Sequence, residues 1–221
     1  MRDIRILAGA AVAAMALAAA QPASADLLTF DGDICAGGTS CTNGETIDQS
    51  YGDTAVVDVV GIGNVASPGG PLYFWADSYS DLTNVAYGDN GVTVGLFLDP
   101  AAGYQVTLNG FDLGSWPFLS RSSQWSIYDG LGNLLDSSGG IVVNGQVSTH
   151  VPGPYTSAHG IQINWGPDGY DVGIDNVDFT VSRIPTGGIP EPSTWAMLIM
   201  GFSALGAALR TQRRRILNAA A

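Results

Sequence analysis

The chain has 221 residues, 46% of them hydrophobic, with a formal net charge of −12 and no lysine. Nucleic-acid affinity rests on Lys and Arg displacing condensed counterions, so this balance excludes a nucleic-acid partner. An acidic excess carried by Asp rather than Glu points to Asp-lined loops, which suit a hard cation such as calcium.

Residues 1–25 read as a signal peptide with its apolar segment in a helix. Arg2 and Arg5 give a positive start, Ile6 to Ala20 is almost unbroken apolar sequence, and Ala23-Ser24-Ala25 is a small-x-small cleavage site. As an uncleaved anchor the apolar run would rise only about 22 Å against a hydrocarbon core of roughly 30 Å. Removal by signal peptidase starts the mature chain near Asp26.

Residues 26–183 form one domain-sized stretch that holds eighteen of the 20 acidic residues and only Arg121 and Arg183 among the 8 basic ones. Cys35 and Cys41 share one loop of an exported chain and are expected to form a disulfide. A metal-thiolate site has no second Cys pair and no nearby His to complete it. Glycines paired with Asn, Asp or Ser punctuate the sequence with turns, and no stretch carries a 3.6-residue apolar period.

Alternation with a period of two marks strands at Tyr104, Val106 and Leu108 and at Ile161, Ile163 and Trp165. Further apolar runs at Leu27–Phe30, Thr54–Val60, Leu72–Trp75, Val92–Leu98, Gln124–Tyr128, Ile141–Val143 and Val172–Val181 bring the expectation to about nine strands. The predicted fold is all-β, an antiparallel β-sandwich of jelly-roll type. The alternation flips parity at Gly110 and at Asp175-Asn176, which predicts a β-bulge at each. His150 and His159 flank a Pro-Gly-rich segment read as a loop.

Residues 184–189 are a breaker-rich linker. Beyond it the sequence Pro190-Glu191-Pro192-Ser193-Thr194-Trp195-Ala196 leads into an apolar segment to Leu209 and a cluster of Arg210, Arg213, Arg214 and Arg215, before a tail at 216–221. The segment reads as a single short transmembrane helix, and the arginines hold its far end on the cytoplasmic side. An ordinary single-span anchor would share the helix-starting prolines but would not require the Trp195-Ala196 pair.

Residues 190–215 resemble the PEP-CTERM sorting signal, in its PEPxxWA subtype, found in exported proteins of Gram-negative bacteria. The resemblance implies an exosortase that recognises Pro190, Glu191 and Pro192, cleaves nearby and passes the product from the inner membrane to the cell surface or medium. The prolines fix an extended peptide that a protease can hold along its backbone.

For the domain between the two signals the leading reading is a non-catalytic binding or matrix role, with exopolysaccharide as partner. Trp75, Trp116, Trp125, Trp165 and several tyrosines offer aromatic faces, and Trp116, beside Ser115 and Pro117 after a strand, is the best loop candidate. Asp31, Asp33 and Asp175 are candidate ligands of a structural calcium ion, set against an ordinary role for such aspartates as turn formers. The alternative function is a polysaccharide hydrolase or lyase, but no spacing selects a carboxylate pair and no Gly-x-Ser-x-Gly elbow occurs, so no catalytic residue is assigned.

Overall fold

The computed structural model describes residues 24–38, 40–67, 70–184, 195–203, 206 and 210. The chain divides into two compact units, Met1–Arg183 and Ile184–Ala221. The described part of the first is two antiparallel sheets packed face to face. One sheet runs β10 (Thr149–Ser157), β6 (Tyr104–Ser115), β12 (Val172–Arg183), β4 (Val85–Tyr87) and β3 (Tyr73–Trp75), with β1 (Ser24–Leu28) also paired to β12. The other runs β2 (Val57–Ile62), β5 (Val94–Pro100), β11 (Ile161–Gly166), β7 (Arg121–Asp129) and β8 (Leu134–Ser137), with β9 (Ile141–Val143) on β7.

Alternation decides which side chains enter the core. Val106, Leu108, Phe111 and Leu113 of β6 face Ile161, Ile163 and Trp165 of β11 across the interior, with Ile174, Val177 and Phe179 of β12 beside them, all buried. Each fully buried side chain of this size contributes about 1.5–3 kcal/mol over leaving it exposed. The sandwich predicted from the sequence is present. Strands β5, β6 and β7, then β10, β11 and β12, alternate between the sheets, as a jelly-roll-like winding requires.

Both expected bulges occur. In the β6–β12 ladder Asp175 pairs with Asp112 and Asp178 with Gly110, which leaves an extra residue in β12 where Asn176 takes φ 51°. The next step pairs Phe179 with Leu108, so Asn109 is the extra residue in β6. The two insertions restore the inward direction of both strands on either side of the break.

The structure adds three strands to the expected set and corrects one segment. β4 and β8 are runs of three and four residues, the first buried throughout and the second exposed throughout, so neither shows an alternating pattern. The Pro-Gly-rich segment read as a loop is mostly strand: His150 lies within β10, which continues through Pro152-Gly153-Pro154, and His159 lies in the turn after it. Proline is tolerated because β10 is an edge strand, and a register shift between Pro152 and Tyr155 absorbs it.

β1 begins at Ser24, ahead of the Leu27 start expected, and pairs Asp26 with Phe179 and Leu28 with Val177. The signal helix expected within residues 1–25 falls outside the described residues apart from Ser24 and Ala25. Residues 195–203 are helical, and among the described residues no helix is long and apolar enough to cross a membrane.

Candidate functional site

Strand alternation also builds a second, smaller cluster on the outer face of the first sheet. Phe74 of β3 and Ala86 of β4 point into the core, so their neighbours Tyr73, Trp75, Val85 and Tyr87 point outward. Tyr79 and Leu82, from the loop between β3 and β4, fold over them. Trp116, directly after β6, and Tyr170, just before β12, close the group. Trp116 meets Trp75 edge to face at 5.9 Å and Tyr170 at 5.8 Å, and Tyr170 meets Tyr87 at 5.4 Å and 90°. Such pairs contribute about 0.5–1.5 kcal/mol each beyond area burial.

Polar contacts tie this cluster to the loops. The Tyr79 hydroxyl donates to the Tyr170 carbonyl. Ser80 Oγ donates to the Asn144 carbonyl at 2.6 Å and accepts the Ser115 amide at 2.9 Å. Arg121 Nε donates to the Trp116 carbonyl at 3.0 Å, while its guanidinium lies 2.8 Å from Asp171. Burial pushes the Asp171 carboxyl up, as does the charge of Asp168, and Arg121 pulls it down. Burial first, then Tyr170 and Tyr73, push the Tyr87 hydroxyl up to about 12, so it is a neutral donor at physiological pH. The Trp75 Nε1–H is buried without an acceptor, a cost of about 1–3 kcal/mol that packing alone leaves unmet.

Beside the cluster lies an open hollow of about 210 Å3 walled by Tyr73, Tyr87 and Tyr170, with Asp89 and Asn90 at its rim. Trp116 itself is half-buried and backs Tyr170. Trp165 is a core residue, fully buried, with Nε1 donating to the Val172 carbonyl at 2.8 Å. Trp125 packs edge-on against Phe111. The tyrosines of the hollow were not singled out in the sequence. The signal that finds them is the all-aromatic triplet Tyr73-Phe74-Trp75, whose alternation must put two rings on the face opposite the core.

The bulge in β12 turns Asp175 inward, where it is 5% exposed and its Oδ1 accepts the Asn176 amide at 2.7 Å. Burial pushes its carboxyl up to about 7, against the lowering effect of that amide, and the charges of Asp31 and Asp112 add to the rise. Asp31 in turn accepts a hydrogen bond from the Asn84 side chain. Asp112 accepts from Asn176 Nδ2 at 2.9 Å and lies 2.8 Å from His150 Nδ1. Asp31 and Asp175 are thus close enough to influence one another, while Asp33 is exposed on the loop. No group of three or more His, Cys, Asp or Glu among the described residues is arranged to hold a metal ion.

A second carboxylate grouping, Asp53, Asp58 and Asp99, borders a hollow of about 240 Å3. Asp58 and Asp99 are cross-strand neighbours on β2 and β5, and all three are exposed. Asp58 and Asp99 sit side by side on one sheet with Asp53 in the loop before β2, a placement unlike two carboxylates facing across a glycosidic bond. The Cys35–Cys41 disulfide is formed, with the Cα atoms 5.4 Å apart.

Of the sorting residues, Trp195 and Ala196 open the C-terminal helix and Arg210 is also helical. Pro190, Glu191, Pro192, Arg213, Arg214 and Arg215 lie outside the described residues. Trp195, Met197, Leu198, Ile199, Met200 and Phe202 are all exposed. A helix apolar on every side is at home in lipid.

A family model of the PEP-CTERM protein-sorting motif matches residues 188–215. The chain carries that sorting signal, which marks an exported, surface-associated protein processed by an exosortase. No curated protein matches the chain. Among solved structures, one of TmCBM61 in complex with β-1,4-galactotriose is similar at 16% identity and a TM-score of 0.28, covering 61% of this chain and 92% of that one. At that score the similarity carries no argument.

Proposed function

We propose that this protein is delivered to the surface or extracellular matrix of a Gram-negative bacterium as a non-catalytic binding protein, with exopolysaccharide as the partner of its β-sandwich. Its leader is removed near Asp26, the apolar helix after Trp195 holds it briefly in the inner membrane with the arginines on the cytoplasmic side, and exosortase cuts near Pro190–Pro192. The sorting signal supports the route.

The observation that carries the binding role is the aromatic group of Trp75, Trp116, Tyr73, Tyr87 and Tyr170 on the outer face of a sheet, away from the core. Flat apolar rings with polar tips suit partners that are apolar on one face and hydroxylated at the edge. A glycan array probed with the full chain tests this role: the expected result is retention on one or more polysaccharides, weakened in Trp116→Ala. Cleavage of an array glycan by the purified protein would overturn the non-catalytic assignment.

A further inference from the structure

We propose that the hollow bounded by Tyr73, Tyr87, Tyr170, Asp89 and Asn90 is a subsite for one ring of a neutral, hydroxyl-rich sugar. This rests on the carbohydrate-binding reading above and adds the place of contact and the charge class of the ligand.

The size and walls point to a single ring. About 210 Å3 is less than the roughly 300–1,000 Å3 of pockets for drug-sized ligands. Edge strand β3 supplies Tyr73, its cross-strand partner on β4 is Tyr87, and the loop before β12 supplies Tyr170, set edge-on to Tyr87, so three rings line the hollow. The C–H face of a pyranose loses water against such rings and gains dispersion contacts. The rim is chemically different. Asp89 and Asn90 are exposed on the loop after β4, a carboxylate acceptor next to an amide that both donates and accepts. Hydroxyls projecting from the ring edge meet those groups, and bonds to the carboxylate are charge-assisted. Tyr87, held protonated, adds a donor beneath.

The charge class follows from where the cations are. The described domain has Arg121 and Arg183 and no lysine. Arg121 is bound to Asp171 at 2.8 Å and to the Trp116 carbonyl, and Arg183 lies over the Tyr104 ring at the far end of β12. Asp89 stands at the rim, and Asp168 and Asp171 flank Tyr170. A uronate or sulfate entering the hollow would meet carboxylates at close range with no cation left to pair it. An uncharged ring meets only acceptors for its hydroxyls.

The test measures binding of the full chain to neutral gluco-, galacto- and manno-oligosaccharides and to polygalacturonate, by affinity electrophoresis and calorimetry. The same probes are applied to Tyr73→Ala, to the double variant Asp89→Asn with Asn90→Ala, and to Trp116→Ala. The expected result is binding to a neutral series, weakened about tenfold or more in the rim variant, as loss of a charge-assisted hydrogen bond implies. The rim variant's thermal midpoint should be unchanged, since both side chains are exposed.

Neutral binding lost in Trp116→Ala but intact in Tyr73→Ala and the rim variant overturns the subsite and leaves the binding domain standing. Preference for polygalacturonate overturns the charge class. Binding to none of the probes overturns both the subsite and the reading it rests on.

Discussion

Arg121 on β7 reaches Asp171, in the turn between β11 and β12, and in the same posture donates to the carbonyl of Trp116. One side chain therefore joins the loop carrying Trp116 to the loop carrying Tyr170. Arg121→Ala leaves Asp171 partly buried beside Asp168 with no counter-charge, and removes a hydrogen bond from a main-chain carbonyl. The expected loss is about 1–3 kcal/mol. Differential scanning calorimetry checks it, with a fall of about 2–4 °C per kcal/mol for a domain of this size. Arg121→Lys should recover only part, because a point charge cannot serve both acceptors as the fork does.

Asp175 sets the sign of the pH dependence. Its folded pKa of about 7 is above the model-peptide value of 3.8, so the folded chain keeps a proton that the unfolded chain has released. The stability from this group is complete below about pH 4 and is lost as pH rises through about 7. Asp81, Asp129 and Asp136 are lowered by hydrogen bonds from Ser148, Asn133 and Tyr155, and act oppositely, losing their contribution as pH falls below the ordinary carboxylate range. Thermal midpoints measured against pH should peak near about pH 4–5. Asp175→Asn should flatten the decline toward neutrality; an unchanged decline would assign it elsewhere.

The disulfide closes a loop at a sequence separation of 6, and Cys35 is buried against the core. On the chain-entropy model its removal costs about 2 kcal/mol. The double variant Cys35→Ser with Cys41→Ser should melt several degrees lower while keeping the wild-type far-ultraviolet circular dichroism.

Gly114 lets the loop that carries Tyr79 lie directly on β6. A Cβ there would come within 2.4 Å of the Tyr79 carbonyl oxygen. Gly114→Ala must lift that loop from the aromatic cluster. A loss of about 1–3 kcal/mol, typical of overpacking, should accompany weaker glycan retention. Stability lost without any change in retention would separate the cluster from binding.

Processing is read most directly by intact mass. The surface or culture fraction of the native host should yield a chain starting near Asp26 and ending near Pro190–Pro192. Pro192→Ala should accumulate the form that retains Trp195 to Ala221. Equal processing of both would make the C-terminal segment a plain anchor.

The strands that carry the core were legible because their alternation is strict, and even the two bulges showed as parity changes in the apolar positions of β6 and β12. What escaped has physical reasons. β4 is buried along its whole length and β8 exposed along its whole length, so neither alternates. β10 hides behind Pro152 and Pro154, which break a central strand but not an edge. The candidate site was half visible: Trp116 could be placed after a strand, but the approach of Tyr170 and Tyr73 depends on which faces of the sheets are covered, and that is a property of the topology. Asp31, which follows β1 where that strand lies against β12, is near enough to Asp175 for its charge to raise it.

Strand β12 also fixes which ends of the domain its neighbours occupy. Asp26 pairs with Phe179, so the first strand of the domain lies against the strand by which the chain leaves it at Arg183. Trp116 and Tyr170 lie at the other end, where Val172 opens β12 opposite Ser115. Twelve residues of extended chain put roughly 35 Å between them. The aromatic cluster thus stands at the end of the sandwich opposite Asp26 and Arg183, so a ligand seated on it would leave the chain's entry and exit clear.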